Sequence, residues 1–130
     1  MGKILIVGAG YMADNYLKFL KSKKHEIILV GKRKKNTHIL KKRYQLNETF
    51  VGGLENFSFR DKKLDKAIVA VNEKYAFKVT KILIKNRIKN ILIEKPGAKN
   101  LNELVKLDAF SKKVGCKIYC AYNRRFYENI

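Results

Sequence analysis

Cysteine is scarce: two residues in a chain of 130 are too few for a disulfide framework and fit a reducing compartment. Cys116 and Cys120 lie four positions apart. On a strand both would share a face but stand roughly 13 Å apart at about 3.3 Å per residue, too far to bridge. The spacing is not that of a zinc knuckle, and the two histidines, His25 and His38, are distant in sequence, so no metal site is expected. Long apolar runs are also missing. "EIILVG", "KAIVAV" and "NILIEKP" fall far short of the roughly 18 apolar residues that cross a bilayer. The start, "MGKILIVGAG", lacks the long apolar region and small-residue cleavage site of a secretory signal. The expected location is the cytoplasm, with no membrane partner.

Acidic residues are few as well: 11 Asp and Glu face 30 Lys and Arg, a formal net charge of +19. Such a field favours anionic partners, namely nucleotides, phosphates and nucleic acid. The basic runs "KSKK", "GKRKK", "LKKR" and "FSKK" are spread along the chain without interleaved base-stacking aromatics. Much of the lysine therefore reads as solvated surface, and nucleic-acid binding is the weaker alternative.

What is present is enough apolar residue, 46% against 32% charged, to build one core in a chain of single-domain size. Short apolar runs alternate with helical periodicity, the pattern of β-α-β units around a parallel sheet. Strands are expected at Lys3–Gly8, Glu26–Gly31, Lys66–Val71, Asn90–Pro96 and Cys116–Asn123. A helix follows the first strand with Met12, Tyr16, Phe19 and Leu20 at helical spacing, and another spans Asn36–Leu46, capped by Asn36. A third helix, beginning near Glu73, carries Ala76, Val79, Ile82 and Leu83 on one face, and a fourth is closed by Gly115. From Asn47 to Asp65 the pattern is least readable, with a turn at Gly52-Gly53 and a short strand at "FSF". The expected fold is α/β: a Rossmann-like, doubly wound parallel sheet of five or six strands in a single domain.

After the first strand stands Gly8-Ala9-Gly10-Tyr11-Met12-Ala13, which fits G-x-G-x-x-G/A. Gly8 permits the tight turn, Gly10 removes the Cβ that would block a pyrophosphate, and Ala13 lets the helix pack closely. Tyr11 and Met12 open the helix, whose first amide groups suit phosphate. A turn that serves no ligand is the alternative. NAD-selective sites carry Asp or Glu about 20 residues onward, at the end of the second strand. That place reads Gly31-Lys32-Arg33-Lys34. Lys32 and Arg33 are thus candidates for a 2′-phosphate, with Arg33 offering bidentate contact, and NADP(H) is the preferred cofactor over NAD. Ordinary surface charge remains the other account of these residues.

The segments "VGAGYMA", "AIVAVNEKYAFKV", "ILIEKPGAKN" and "AYNRRF", in this order, resemble the Gfo/Idh/MocA oxidoreductases, which join an N-terminal Rossmann domain to a C-terminal α/β substrate domain. The E-K-P match is the most specific. The resemblance implies that Lys95 is the active-site lysine, aiding proton transfer near nicotinamide and substrate, with Glu94 and Pro96 holding it and a cis Lys95-Pro96 bond. It also implies that Val71, Asn72 and Asn123, with Arg124, edge the same cleft. Tyr75 departs from the histidine that many relatives carry.

By the same likeness, residues 1–122 form the NAD(P)-binding domain and 123–130 begin the connection to a substrate domain lying outside these 130 residues. The expected function is NADP(H) binding in an oxidoreductase that moves hydride between nicotinamide and a sugar-like hydroxyl or carbonyl compound. A second chain supplying the substrate domain is a possible partner. A non-catalytic nucleotide-binding sensor or interaction module is the alternative.

Overall fold

The computed structural model describes residues 3–94 and 100–121. Strand β1 (Lys3–Val7) leads into helix α1 (Tyr11–Ser22), then β2 (Ile27–Gly31), α2 (Lys34–Tyr44) and β3 (Glu48–Val51). A single 3-10 turn (Leu54–Asn56) precedes β4 (Leu64–Val69), α3 (Glu73–Lys85), β5 (Asn90–Glu94), α4 (Leu101–Val114) and β6 (Lys117–Ala121). The strands pair in the order β3-β2-β1-β4-β5-β6, every pair parallel. This is the doubly wound order of the Rossmann fold, and its direction reverses between β1 and β4.

The apolar runs of the central strands are continuous because both faces of the sheet are covered. Leu5, Val7, Ile28, Val30, Ala67 and Val69 point into one buried cluster with α3 and α4 residues such as Val79, Leu83 and Leu107. Ile4, Ile6, Ile27, Leu29 and Ile68 point into the other, with Ala13, Leu17 and Leu20 of α1 and Leu40 of α2.

Several details differ from the expectation, β4 among them, which runs from Leu64 to Val69 rather than from Lys66 to Val71. Helix α1 buries Ala13, Leu17 and Leu20, whereas Phe19 is exposed and Met12 only half-buried. Helix α2 starts at Lys34 rather than at an Asn36 cap: the backbone N–H and the hydroxyl of buried Thr37 both donate to the Arg33 carbonyl, at 3.2 and 2.7 Å. The strand in the poorly readable stretch is Glu48–Val51. "FSF" is not a strand: Phe57 stacks edge-on with Phe50 and Phe59, at centroid distances of 5.6 and 5.1 Å. Lys95, Pro96, Asn123 and Arg124 lie outside the described residues.

Candidate functional site

At the carboxyl ends of β1, β2 and β4, beside the reversal in strand order, the structure opens a cleft of about 610 Å³. Ligands bind open α/β sheets at such a switch point. Its floor is set by Gly8, whose φ of +120° belongs to glycine and whose added Cβ would sit 2.2 Å from the Ala70 carbonyl oxygen. The Gly8 N–H donates to Val30, and the Ala70 N–H to Val7, both at 2.8 Å. Gly8 is therefore fixed by the approach of β1 to the end of β4.

Gly10 has a different reason to lack a side chain. Its φ is −99°, and a Cβ there would meet no heavy atom within 4 Å. Nothing within the described fold requires glycine at this position; open space does, if a ligand comes close to the backbone. No side chain caps α1, so the amide groups of its first turn keep their capacity for an anion. Asp14 in that turn is neutralised by neighbours. It accepts the Tyr44 hydroxyl at 2.5 Å and pairs with Arg43 at 3.1 Å. The Tyr44 bond, then Arg43, hold its carboxyl below the usual range against the opposing effect of burial.

The rim is basic. Lys32 and Arg33 follow β2 and are exposed, and the Lys32 ammonium lies 5.0 Å from the centre of the Tyr75 ring. Arg33 flanks α2, whose first turn contains no acidic residue. Gly31 is glycine for a packing reason: a Cβ would fall 1.9 Å from the Thr37 hydroxyl. Asn72 caps α3 by accepting the Lys74 N–H at 3.0 Å, while also bordering the cleft beside Val71.

The structure thus brings Gly8, Gly10, Lys32, Arg33, Val71 and Asn72 into one cleft. Tyr11 stands in an adjoining hollow of about 250 Å³. Met12 and Ala13 do not line the cleft; Ala13 is fully buried against the sheet. Glu94 is not among the described lining residues; at the end of β5 its carboxylate accepts the Tyr16 hydroxyl. Two charged lining residues went unforeseen, Glu55 and Lys78, which pair at 3.3 Å across the rim. The turn signal at Gly52-Gly53 marks the loop but not where Glu55 is delivered.

Among the described residues no group of three or more His, Cys, Asp or Glu is placed to hold a metal ion, and no helix is long and apolar enough to cross a membrane. Cys116 and Cys120 are free thiols whose pKa burial pushes up.

A family model described as "Oxidoreductase family, NAD-binding Rossmann fold" matches residues 2–122. The chain belongs to the Gfo/Idh/MocA family. Over those residues it matches that family's NAD-binding Rossmann domain, as its motifs suggested. Similar solved structures agree on the fold. A Gfo/Idh/MocA family oxidoreductase from Vibrio cholerae superposes with a TM-score of 0.84 at 21% identity, over 96% of this chain and 40% of that one. An oxidoreductase from Agrobacterium radiobacter, in complex with NAD+, L-tartaric acid and magnesium, gives 0.85 at 17% identity, covering 95% and 36%. Biliverdin reductase from Synechocystis sp. PCC 6803, in complex with biliverdin and NADP+, gives 0.72 at 15% identity, covering 91% and 37%. The chain therefore spans 40% or less of these three relatives. Comparison with curated proteins returns no match.

Proposed function

We propose that this domain binds NADP(H) in preference to NAD(H), within an oxidoreductase acting on a sugar-like hydroxyl or carbonyl compound. The observation that carries the cofactor choice is the end of β2, where exposed Lys32 and Arg33 border the cleft in place of the ribose-binding carboxylate of NAD-selective sites.

The cleft fits a dinucleotide: Gly8 cannot carry a Cβ, and Gly10 leaves open space beside an uncapped helix. Gly8, Gly10 and the first amides of α1, those of Tyr11, Met12 and Ala13, would hold the pyrophosphate. Arg33 and Lys32 would pair with a 2′-phosphate, and Val71 and Asn72 would edge the nicotinamide side. The cofactor, when bound, donates or accepts hydride at its nicotinamide ring. By family likeness, the Lys95 ammonium would hold the proton that a substrate oxygen gains or loses, with Glu94 and Pro96 setting its place and Asn123 facing the same cleft. We assign the remaining substrate walls to a further domain or a second chain, so these 130 residues bind cofactor but turn over little substrate unaided.

Calorimetric titration with NADPH and NADH at one moderate ionic strength tests this. Arg33→Ala should weaken NADPH about tenfold or more, the scale of a charge-assisted phosphate contact, and leave NADH within about twofold. Equal losses for both would remove the assignment.

A further inference from the structure

The cleft contains one carboxylate among its described lining residues, Glu55. It arrives by a route the glycine motif does not signal. The N–H groups of Gly52 and Gly53 both donate to the Gly31 carbonyl, at 3.0 and 3.1 Å, which pins the loop against the last residue of β2. Glu55 then folds back over that loop: a Cβ on Gly53 would lie 2.0 Å from Glu55 Oε1. The carboxylate is therefore held beside the carboxyl end of β2, the region from which NAD-selective sites present their ribose-binding acid.

Two cations act on it there. Lys78 of α3 places Nζ 3.3 Å from Glu55 Oε2, and both side chains are partly exposed, 63% and 36%. Lys32, the residue after Gly31, acts from farther away. The Glu55 backbone N–H, then Lys78 and Lys32, keep the carboxyl below its ordinary pKa against the effect of burial, so it is ionised at neutral pH.

We propose that Glu55 sets the balance between NADH and NADPH in this cleft, with Lys78 as the counter-ion that draws its charge away from the ribose 2′ position. The proposal rests on the reading that the cleft takes a nicotinamide dinucleotide. An ionised carboxylate accepts hydrogen bonds from ribose hydroxyls and repels a 2′-phosphate, which carries a charge of about −1.5 to −2. Lys32 and Arg33 act in the opposite sense. Opposed charges thus converge on one end of the cleft, and the partner that holds Glu55 decides which prevails. With Lys78 in place, the carboxylate faces α3 and the two cations after β2 dominate.

The test is calorimetry of NADPH and NADH with wild type, Glu55→Gln, Lys78→Met and the double variant, all at one ionic strength. Glu55→Gln should raise the ratio of NADPH to NADH affinity about tenfold, as expected for one charge removed near a phosphate at a solvated rim. Lys78→Met should lower the ratio by a similar factor, and the double variant should match Glu55→Gln alone. An unmoved ratio in Glu55→Gln overturns the proposal. So does a Lys78→Met loss that persists in the double variant, because Lys78 would then touch the phosphate itself. A wild type that prefers NADH, with a ratio that still rises in Glu55→Gln, supports Glu55 while refuting the NADP(H) preference. NADPH selectivity with an unmoved ratio does the reverse. Absence of binding by both wild type and Glu55→Gln overturns both readings.

Discussion

The Tyr16 hydroxyl donates to the Glu94 carboxylate at 2.5 Å, joining α1 to the last residue of β5 across 78 positions of sequence. The helix that opens at the glycine turn is thereby tied to the strand that leads into Lys95. Both side chains are half-buried, so water replaces the phenol only in part. Tyr16→Phe should cost about 1–2 kcal/mol, at the lower end for a hydrogen bond to a charged group. A urea titration would show a lower midpoint with an unchanged slope. A shift corresponding to only a few tenths of a kcal/mol would mean that solvent substitutes fully.

The two motif glycines separate cleanly by cause. Gly8→Ala sets a side chain at φ +120° and 2.2 Å from the Ala70 oxygen, and should destabilise the fold by about 3 kcal/mol or more. Gly10→Ala meets neither obstacle and should change stability by less than about 1 kcal/mol, yet weaken dinucleotide binding at least about tenfold by filling the space a pyrophosphate needs. Thermal melts and titrations of the two variants should therefore diverge. Normal binding by Gly10→Ala would remove that glycine from the site.

Gly31 and Thr37 form a second steric pair. The Thr37 hydroxyl would be 1.9 Å from a Gly31 Cβ, while the Cβ atoms of Thr37 and Ala9 would each be 3.1 Å away. Gly31→Ala should cost about 2–3 kcal/mol through overpacking. In Gly31→Ala/Thr37→Ala the closest clash is gone, so the combined loss should fall short of the sum by about 1 kcal/mol. Denaturation of the four proteins in the cycle measures this, and strict additivity would show that the backbone moves aside instead.

Much of this architecture was legible because the central strands are buried on both faces. Ile4–Val7, Ile27–Val30 and Ala67–Val69 alternate between the two clusters, so each reads as an uninterrupted apolar run. Strand β3 does not, since Glu48, Thr49, Phe50 and Val51 sit half-exposed at the sheet edge. Phe57 and Phe59 suggest a strand by spacing, but their rings close over the core beside Phe50. In the cleft, Gly8, Lys32 and Arg33 were legible because they immediately follow strands. Glu55 was not, because the preceding loop is brought to β2 by the Gly52 and Gly53 N–H groups donating to Gly31, a contact that no local pattern encodes.

Glu48 closes one end of the sheet and gives it a pH dependence. Its carboxylate receives Lys3 Nζ at 2.8 Å and Lys62 Nζ at 2.7 Å, linking the start of β1 to the start of β3. Those two bonds, Lys3 foremost, hold its pKa below the ordinary 4.5. With the folded value depressed, the unfolded chain binds more protons through this range, so stability rises with pH. The contribution is complete above the unfolded value and is lost as pH falls through the folded one; Asp14, depressed by Tyr44 and Arg43, behaves alike. The Glu48 side chain is 31% exposed, so solvent screening keeps its share below about 1 kcal/mol. Urea midpoints of wild type and Glu48→Gln should differ at about pH 6, converge toward about pH 3, and draw closer at high salt. A gap that is constant across pH would assign the effect to packing rather than to charge.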